Sequence, residues 1–147
     1  MVYYPQNQFG LQKGQLTDYD AKILLAFGEA IDGNDKIFMW LLKNGYPELA
    51  ALSKAIRGSE EAFDWLIKNG FPQYAALDMA IVNDKKAFLW LNKHNFNLLV
   101  YLALAARGDK SAIKWFALRD LHIFIRIAKK IKAFTDNQRF DYHKLHF

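Results

Sequence analysis

The four tryptophans of this chain follow one another at a constant interval of 25 residues. Because tryptophan is scarce in proteins, an even series of four indicates that one short structural unit is repeated. The adjacent positions keep the same step, with an apolar residue two places before each tryptophan and another directly after it. The series is Trp40, Trp65, Trp90 and Trp115, preceded by Phe38, Phe63, Phe88 and Ile113 and followed by Leu41, Leu66, Leu91 and Phe116. So short a unit cannot bury its own apolar side chains, and we expect stacked neighbours to share one core.

Each unit is predicted to be a helical hairpin. Gly or Asn closes one helix, and the next residue can cap the N-terminus of the following helix, at Asn34, Ser59, Asp84 and Asp109. The other junction of the unit carries Gly as a helix stop and Pro as a first-turn residue, as in 43–47 and 68–72. Between these signals, apolar residues recur every three or four positions, which is typical of helices. We call the first helix of a unit helix A (Pro47 to Arg57 in one unit) and the second helix B (Ser59 to Asn69).

We therefore predict an all-α fold, an α-solenoid of stacked antiparallel helical hairpins with about nine helices in a right-handed superhelix. A single domain is expected over residues 1–147. Within it, 17–132 would form the helical repeats, 1–16 an irregular N-terminal segment and 133–147 a C-terminal cap. We interpret the tryptophans as core rather than as a ligand cage, because they recur with the structural period. The Trp, Phe and Leu of helix B are expected to be the main filling.

The ends of the array depart from the repeat. Thr17 to Ile31 is predicted to be a first helix A and Leu121 to Ile131 a last one, followed by a separate capping helix. Lys130 stands where the internal units have small residues, at Ala55, Ala80 and Ala105. This change suggests that no following unit covers Lys130 fully.

Two stretches carry a family pattern. Residues 102–116 begin with Leu-Ala-Leu-Ala-Ala, turn at a glycine and continue into a helix with paired apolar residues, and residues 55–66 are similar. This pattern resembles the helix pair of an ankyrin repeat. Ankyrin units are longer, about 33 residues, and open with a Thr-Pro-Leu-His sequence and a β-turn that this chain lacks. The resemblance implies an interaction scaffold without the projecting loops of that family.

Composition and motifs limit the function. The chain has 52% hydrophobic residues and no cysteine, which fits a compact cytoplasmic protein without thiol chemistry. It contains no Gly-rich phosphate loop, serine elbow or paired-histidine zinc motif, so we predict no enzyme, no catalytic residue and no cofactor. His143 and His146 have the spacing of metal ligands but lack a third partner, and no metal site is predicted.

The basic residues are concentrated in the second half of the chain. Residues 74–147 carry thirteen Lys and Arg against six Asp and Glu, whereas residues 1–73 carry seven against nine. A candidate anion-binding surface follows, for nucleic acid or another polyanion. It comprises Arg107, Lys110, Lys114, Arg126, Lys129 and Lys130. The alternative interpretation is the solvated face of a terminal cap.

We predict a non-catalytic helical-repeat scaffold that mediates protein–protein interaction, with nucleic-acid binding through the basic half as the alternative. The concave face, lined by one helix type, would be the contact surface. Variable positions of helix A that would form an apolar patch if exposed are the candidate partner surface, namely Met79, Tyr101 and Leu104. A third hypothesis is that an open end of the solenoid is buried by another subunit.

Overall fold

The computed structural model describes residues 15–145, with side chains described as far as residue 138. Helices and their connections account for this part of the chain, and no strand occurs within it. A 3-10 turn, Leu16–Asp18, precedes α1 (Ala21–Ile31), α2 (Asp35–Lys43), α3 (Pro47–Ile56), α4 (Glu60–Lys68), α5 (Pro72–Ile81), α6 (Lys85–Lys93), α7 (Asn97–Ala106), α8 (Lys110–Leu118) and α9 (His122–Leu145). The predicted all-α architecture of repeated helical hairpins is confirmed. Odd-numbered helices are helices A, and even-numbered helices are helices B.

The predicted helix caps are present. The side chains of the four capping residues each accept a hydrogen bond from the backbone N–H three residues later, at 3.1 to 3.2 Å. These bonds satisfy donors that the first turn of a helix leaves without partners. Directly before two of the caps, Gly33 and Asn83 adopt positive φ angles of 94° and 69°. Three residues therefore connect the two helices of each hairpin, which keeps the 25-residue step constant.

The helices A form a closed ring. Each packs against the next along the chain, and α9 packs against α1, so that the two ends of the repeat array meet. Lys130 lies at this closure and is largely buried, because α1 covers it. No following unit covers Lys130: 18% of its side chain remains exposed, and the helix that covers the rest is α1, at the other end of the array. The inner faces of the helices A are buried against one another, and the described residues present no open concave face of the kind that was expected.

The helices B form an incomplete outer layer. Each packs against the two helices A that flank it in sequence, so α2 covers the junction between α1 and α3, and α8 covers the junction between α7 and α9. In the described part of the chain, five junctions join the five helices A into a ring, and four helices B cover four of them. Within residues 15–145, no helix covers the junction between α9 and α1.

Of the helix B residues that were expected to fill the core, the leucines are buried and the tryptophans are not. The residue that follows each tryptophan is completely buried, at Leu41, Leu66, Leu91 and Phe116. The tryptophans are not, since Trp40 is 44% exposed and the other three are half-buried. Their rings instead stack on other aromatic rings. Trp65 lies over Phe71, with centroids 6.3 Å apart, and Trp115 lies over Tyr101 at 4.1 Å.

The last helix differs from the prediction. Leu121–Ile131 and the following cap were expected to be separate, but one helix runs without interruption to Leu145. The extension crosses the end of the ring where the helices A terminate. Its Phe134 ring lies 4.7 Å from the guanidinium carbon of Arg57, at the end of α3. The chain that would have formed a fifth helix B therefore continues α9 instead.

Candidate functional site

The junction between α9 and α1 forms an open groove of about 660 Å³, which we call the junction groove. Asp32 comes from the end of α1, and all other lining residues come from α9. The full lining is Asp32, His122, Ile123, Ile125, Arg126, Lys129, Lys130 and Ala133. Because four equivalent junctions are each covered by a helix, this groove is the place in the repeat where an outer helix is missing from the described residues.

Exposure of apolar side chains supports this assignment. Leu25 in α1 is 41% exposed, whereas the residues at the same repeat position in α3, α5 and α7 are buried. Those residues are Ala50, Ala75 and Val100. Leu25 differs because no described helix precedes α1 in the outer layer. Trp40, in the first helix B, is likewise exposed, whereas the other three tryptophans are half-buried.

The groove is basic. Arg126 and Lys129 are exposed and have no acidic partner among the described residues. His122 pairs with Asp120 at 3.3 Å on the solvent-exposed side. Lys130 is neutralised by Glu29, at 3.3 Å, and by Asp32. The hydrogen bond to Asp32 is the main cause that raises the pKa of Lys130, which keeps its ammonium charged and engaged. The free positive charge of the groove therefore resides on Arg126 and Lys129.

Another unit of the repeat shows how a lysine at the position of Lys129 can be paired. In α3, Lys54 pairs with Asp35 of α2 at 3.7 Å, and its ammonium lies 4.5 Å from the centre of the Phe38 ring. Lys129 is the counterpart of Lys54 in the repeat, and the counterpart of Asp35 is Lys110. A lysine thus stands where the acidic partner of Lys54 is found, and Lys129 has no ion pair among the described residues.

The predicted anion-binding residues are only partly brought together. Arg126, Lys129 and Lys130 lie in the junction groove, while Lys110 and Lys114 are exposed on the neighbouring α8. Lys130 departs from the expectation because its charge is already paired. Arg107 lies elsewhere: it donates from Nη1 to the Ile81 carbonyl oxygen at 3.3 Å, at the end of α5. Arg57 makes the same contact two junctions earlier, with the Ile31 carbonyl oxygen at 2.9 Å, so this interaction recurs in the repeat.

The candidate partner surface is distributed differently from the sequence interpretation. Met79 is 37% exposed, whereas Tyr101 and Leu104 are half-buried and pack against the core. Tyr101 is held by its stack on Trp115. A role of these residues in binding stays a prediction, with Met79 the most accessible of the three.

Sequence reasoning missed Ile123 and Ile125, which give the junction groove its apolar floor. Both lie on α9 and are half-buried. The repeat register contained a signal, because Ile125 and Leu25 are the large residues of a column that holds alanine in α3 and α5. Large apolar residues at the two ends of the array mark the surface that an outer helix would cover.

A second groove of about 500 Å³ lies over α3, between α2 and α4. Phe38 and Trp65 form its walls, Ala51 its floor, and Lys54 and Glu61 its polar rim. In the unit built on α7, Tyr101 occupies the repeat position of Ala51 and fills the equivalent space against Trp115. The groove over α3 therefore arises from a small side chain within a complete unit, and not from a missing helix.

The groups with shifted pKa values, Lys130 apart, lie away from the junction groove. Burial raises the pKa of Asp78, in α5, to about 7. The Tyr19 hydroxyl donates a hydrogen bond to Glu48 at 2.5 Å. Burial is the main cause that raises the pKa of Tyr19, and this hydrogen bond is the second. No group of three or more His, Asp or Glu suited to a metal ion occurs among the described residues. The side chains of His143 and His146 lie outside them.

Among residues 15–145, no helix is both long enough and apolar enough to cross a membrane. No protein-family model matches the chain, and neither a curated protein nor a solved structure matches it significantly.

Proposed function

We propose that this protein is a non-catalytic interaction module that binds a partner protein in the junction groove. The observation that carries this proposal is that no described helix covers the junction between α9 and α1, whereas a helix covers each of the four equivalent junctions. The proposal is supported by an apolar floor of Ile123 and Ile125 with a basic rim of Arg126 and Lys129, because an apolar centre with a polar rim is typical of protein interfaces. The resemblance of the hairpins to ankyrin helix pairs agrees with this role.

A second candidate function is the binding of nucleic acid or another polyanion. Lys110, Lys114, Arg126 and Lys129 are exposed and lack acidic partners among the described residues, which favours this candidate. Binding of this kind depends steeply on salt, because each phosphate contact releases counterions. A flat response of DNA and RNA binding between about 50 and 200 mM salt would dismiss it.

The decisive experiment compares two doubly substituted chains in affinity capture from native lysate. Arg126→Glu/Lys129→Glu reverses the free charges of the groove. Lys85→Glu/Lys86→Glu reverses two exposed charges at the start of α6, where acidic residues are well tolerated near a helix N-terminus. We expect a specific partner protein to be retained by the original chain and by the α6 variant and lost by the groove variant. A partner retained equally by all three would contradict the proposal.

A further inference from the structure

The four junctions that a helix B covers indicate which kind of element would fit the junction between α9 and α1. Each is covered by a helix of nine residues, roughly 13 Å long, whose N-terminus is capped by Asn, Ser or Asp. Each such helix inserts one large apolar side chain completely between two helices A, as Leu66 does. The internal symmetry of the ring therefore specifies a short amphipathic helix as the element that completes the outer layer.

The charges beside the junction groove indicate which kind of amphipathic helix would bind there. In the second unit the helix that lies beside Lys54 begins with Glu60 and Glu61, and Glu61 lines the same groove as Lys54. A fifth outer helix would start beside Arg126 and Lys129, which have no acidic partner among the described residues. Acidic residues in its first turn would neutralise them and would also interact favourably with its own helix dipole. Lys110 adds to the positive potential from α8.

We propose that the junction groove binds an acidic amphipathic helix supplied by a partner protein, which takes the place of a fifth helix B. This inference rests on the proposed function and names the chemistry of the partner. Residues 1–14 of the chain are a poor match, because they contain no acidic residue and one basic residue, Lys13. A second copy of the chain and the N-terminal segment are outcomes that the test below distinguishes.

The chain itself provides the probe. A fluorescein-labelled peptide of residues 58–70 carries the acidic start, the capping serine and the apolar face of α4. A lactam between Asp64 and Lys68, four residues apart on the exposed side, holds it helical. The control peptide has Glu60→Lys and Glu61→Lys, which reproduces the Lys85 and Lys86 that α6 tolerates at the same positions.

Binding to the full chain is followed by fluorescence anisotropy. We expect saturable one-to-one binding of the acidic peptide and at least about tenfold weaker binding of the lysine peptide. Arg126→Glu/Lys129→Glu should reverse this preference, and Lys85→Glu/Lys86→Glu should leave it unchanged. Absence of binding by both peptides, or equal binding that the groove variant does not alter, overturns the inference.

Site-specific cross-linking identifies the occupant. The chain has no cysteine, so Ala133→Cys on the groove wall accepts a single benzophenone label. A cross-link to the acidic peptide supports the inference. The inference is overturned if the label cross-links to residues 1–14 or to a second copy of the chain and the acidic peptide does not displace that occupant. If the peptide fails but the groove variant still loses its partner from lysate, the proposed function stands and the helical ligand is wrong.

Discussion

The ammonium nitrogen of Lys130 lies 3.3 Å from a carboxylate oxygen of Glu29, although 101 residues separate them in the chain. The same ammonium pairs with Asp32, and the Lys130 stem lies 3.1 Å from where a Cβ on Gly28 would stand. One side chain of the last helix A thus contacts three positions of the first. Because the internal helices A have alanine at this position, the contact is specific to the closure of the ring.

Replacing Lys130 by Ala should destabilise the protein by about 1–2 kcal/mol, because the side chain is mostly buried and loses two ionic hydrogen bonds together with its packing. Lys132→Ala is the matched control, since it breaks an exposed pair with Asp136 on the same helix and should cost less than about 0.5 kcal/mol. Urea unfolding followed by tryptophan fluorescence measures both. Equal effects of the two substitutions would mean that the closing contact adds nothing.

The buried leucine and the exposed tryptophan of one helix B should respond very differently to truncation. Leu41 is completely buried, and Leu41→Ala should cost roughly 2–5 kcal/mol because it leaves a cavity in the core. Trp40 is 44% exposed and stacks on Tyr46, with centroids 6.2 Å apart, so Trp40→Ala should cost about 1 kcal/mol. Chemical denaturation of both variants checks the order. A larger loss for Trp40 than for Leu41 would restore the tryptophans as the main filling.

These two residues also show how far the sequence predicts the structure. The 25-residue step, the capping residues and the Gly and Pro signals are local, and they predict the hairpins correctly. Periodicity alone does not distinguish the buried Leu41 from its neighbour Trp40, because both recur with the same step. The side that faces the core depends on the rotation of helix B about its own axis, which is set by tertiary packing.

Ring closure could not be predicted, because it depends on the small angle between successive units summed over the whole array. A contact such as Lys130 with Glu29 leaves no trace in a local pattern. Closure also decides the candidate site, since it creates one junction more than there are outer helices in the described part of the chain. The continuity of α9 did leave a signal. Residues 131–145 contain neither Gly nor Pro, and nothing in them stops a helix.

Tyr19, which precedes α1, and Tyr74, in the first turn of α5, offer a paired test of buried hydroxyl groups. Tyr74 is completely buried, and its hydroxyl has no hydrogen-bond partner of normal geometry among the described residues. Burial, together with the nearby Tyr19, raises the pKa of Tyr74. Tyr74→Phe should therefore be neutral or stabilising by up to about 1 kcal/mol, because an unsatisfied polar group is removed. Tyr19→Phe should cost about 1 kcal/mol, since it removes the bond to Glu48. In thermal unfolding, Tm should fall for Tyr19→Phe and should stay constant or rise for Tyr74→Phe.

Asp78 should make the stability of the protein depend on pH. It stands in a column of buried small residues that includes Ser53 and Ala103, and it has no cationic partner among the described residues. Burial disfavours its charged form and raises its pKa from 3.8 to about 7. Between these values the folded chain holds a proton that the unfolded chain releases. The free energy of unfolding should therefore fall as the pH rises from about 4 to about 7 and be unaffected by this group below that range.

Asp78→Asn removes the titration and keeps the shape of the side chain. At pH 4 the variant and the original chain should have nearly equal free energies of unfolding, since the carboxyl is neutral in the folded protein. At pH 8 the variant should be more stable by roughly 2–4 kcal/mol, because the original chain must bury a carboxylate or protonate it against the solvent. Urea unfolding at one-unit pH steps measures the difference between the two chains, in which the contributions of the other carboxylates cancel. A difference that stays constant with pH would show that Asp78 is solvated in the folded protein and titrates normally.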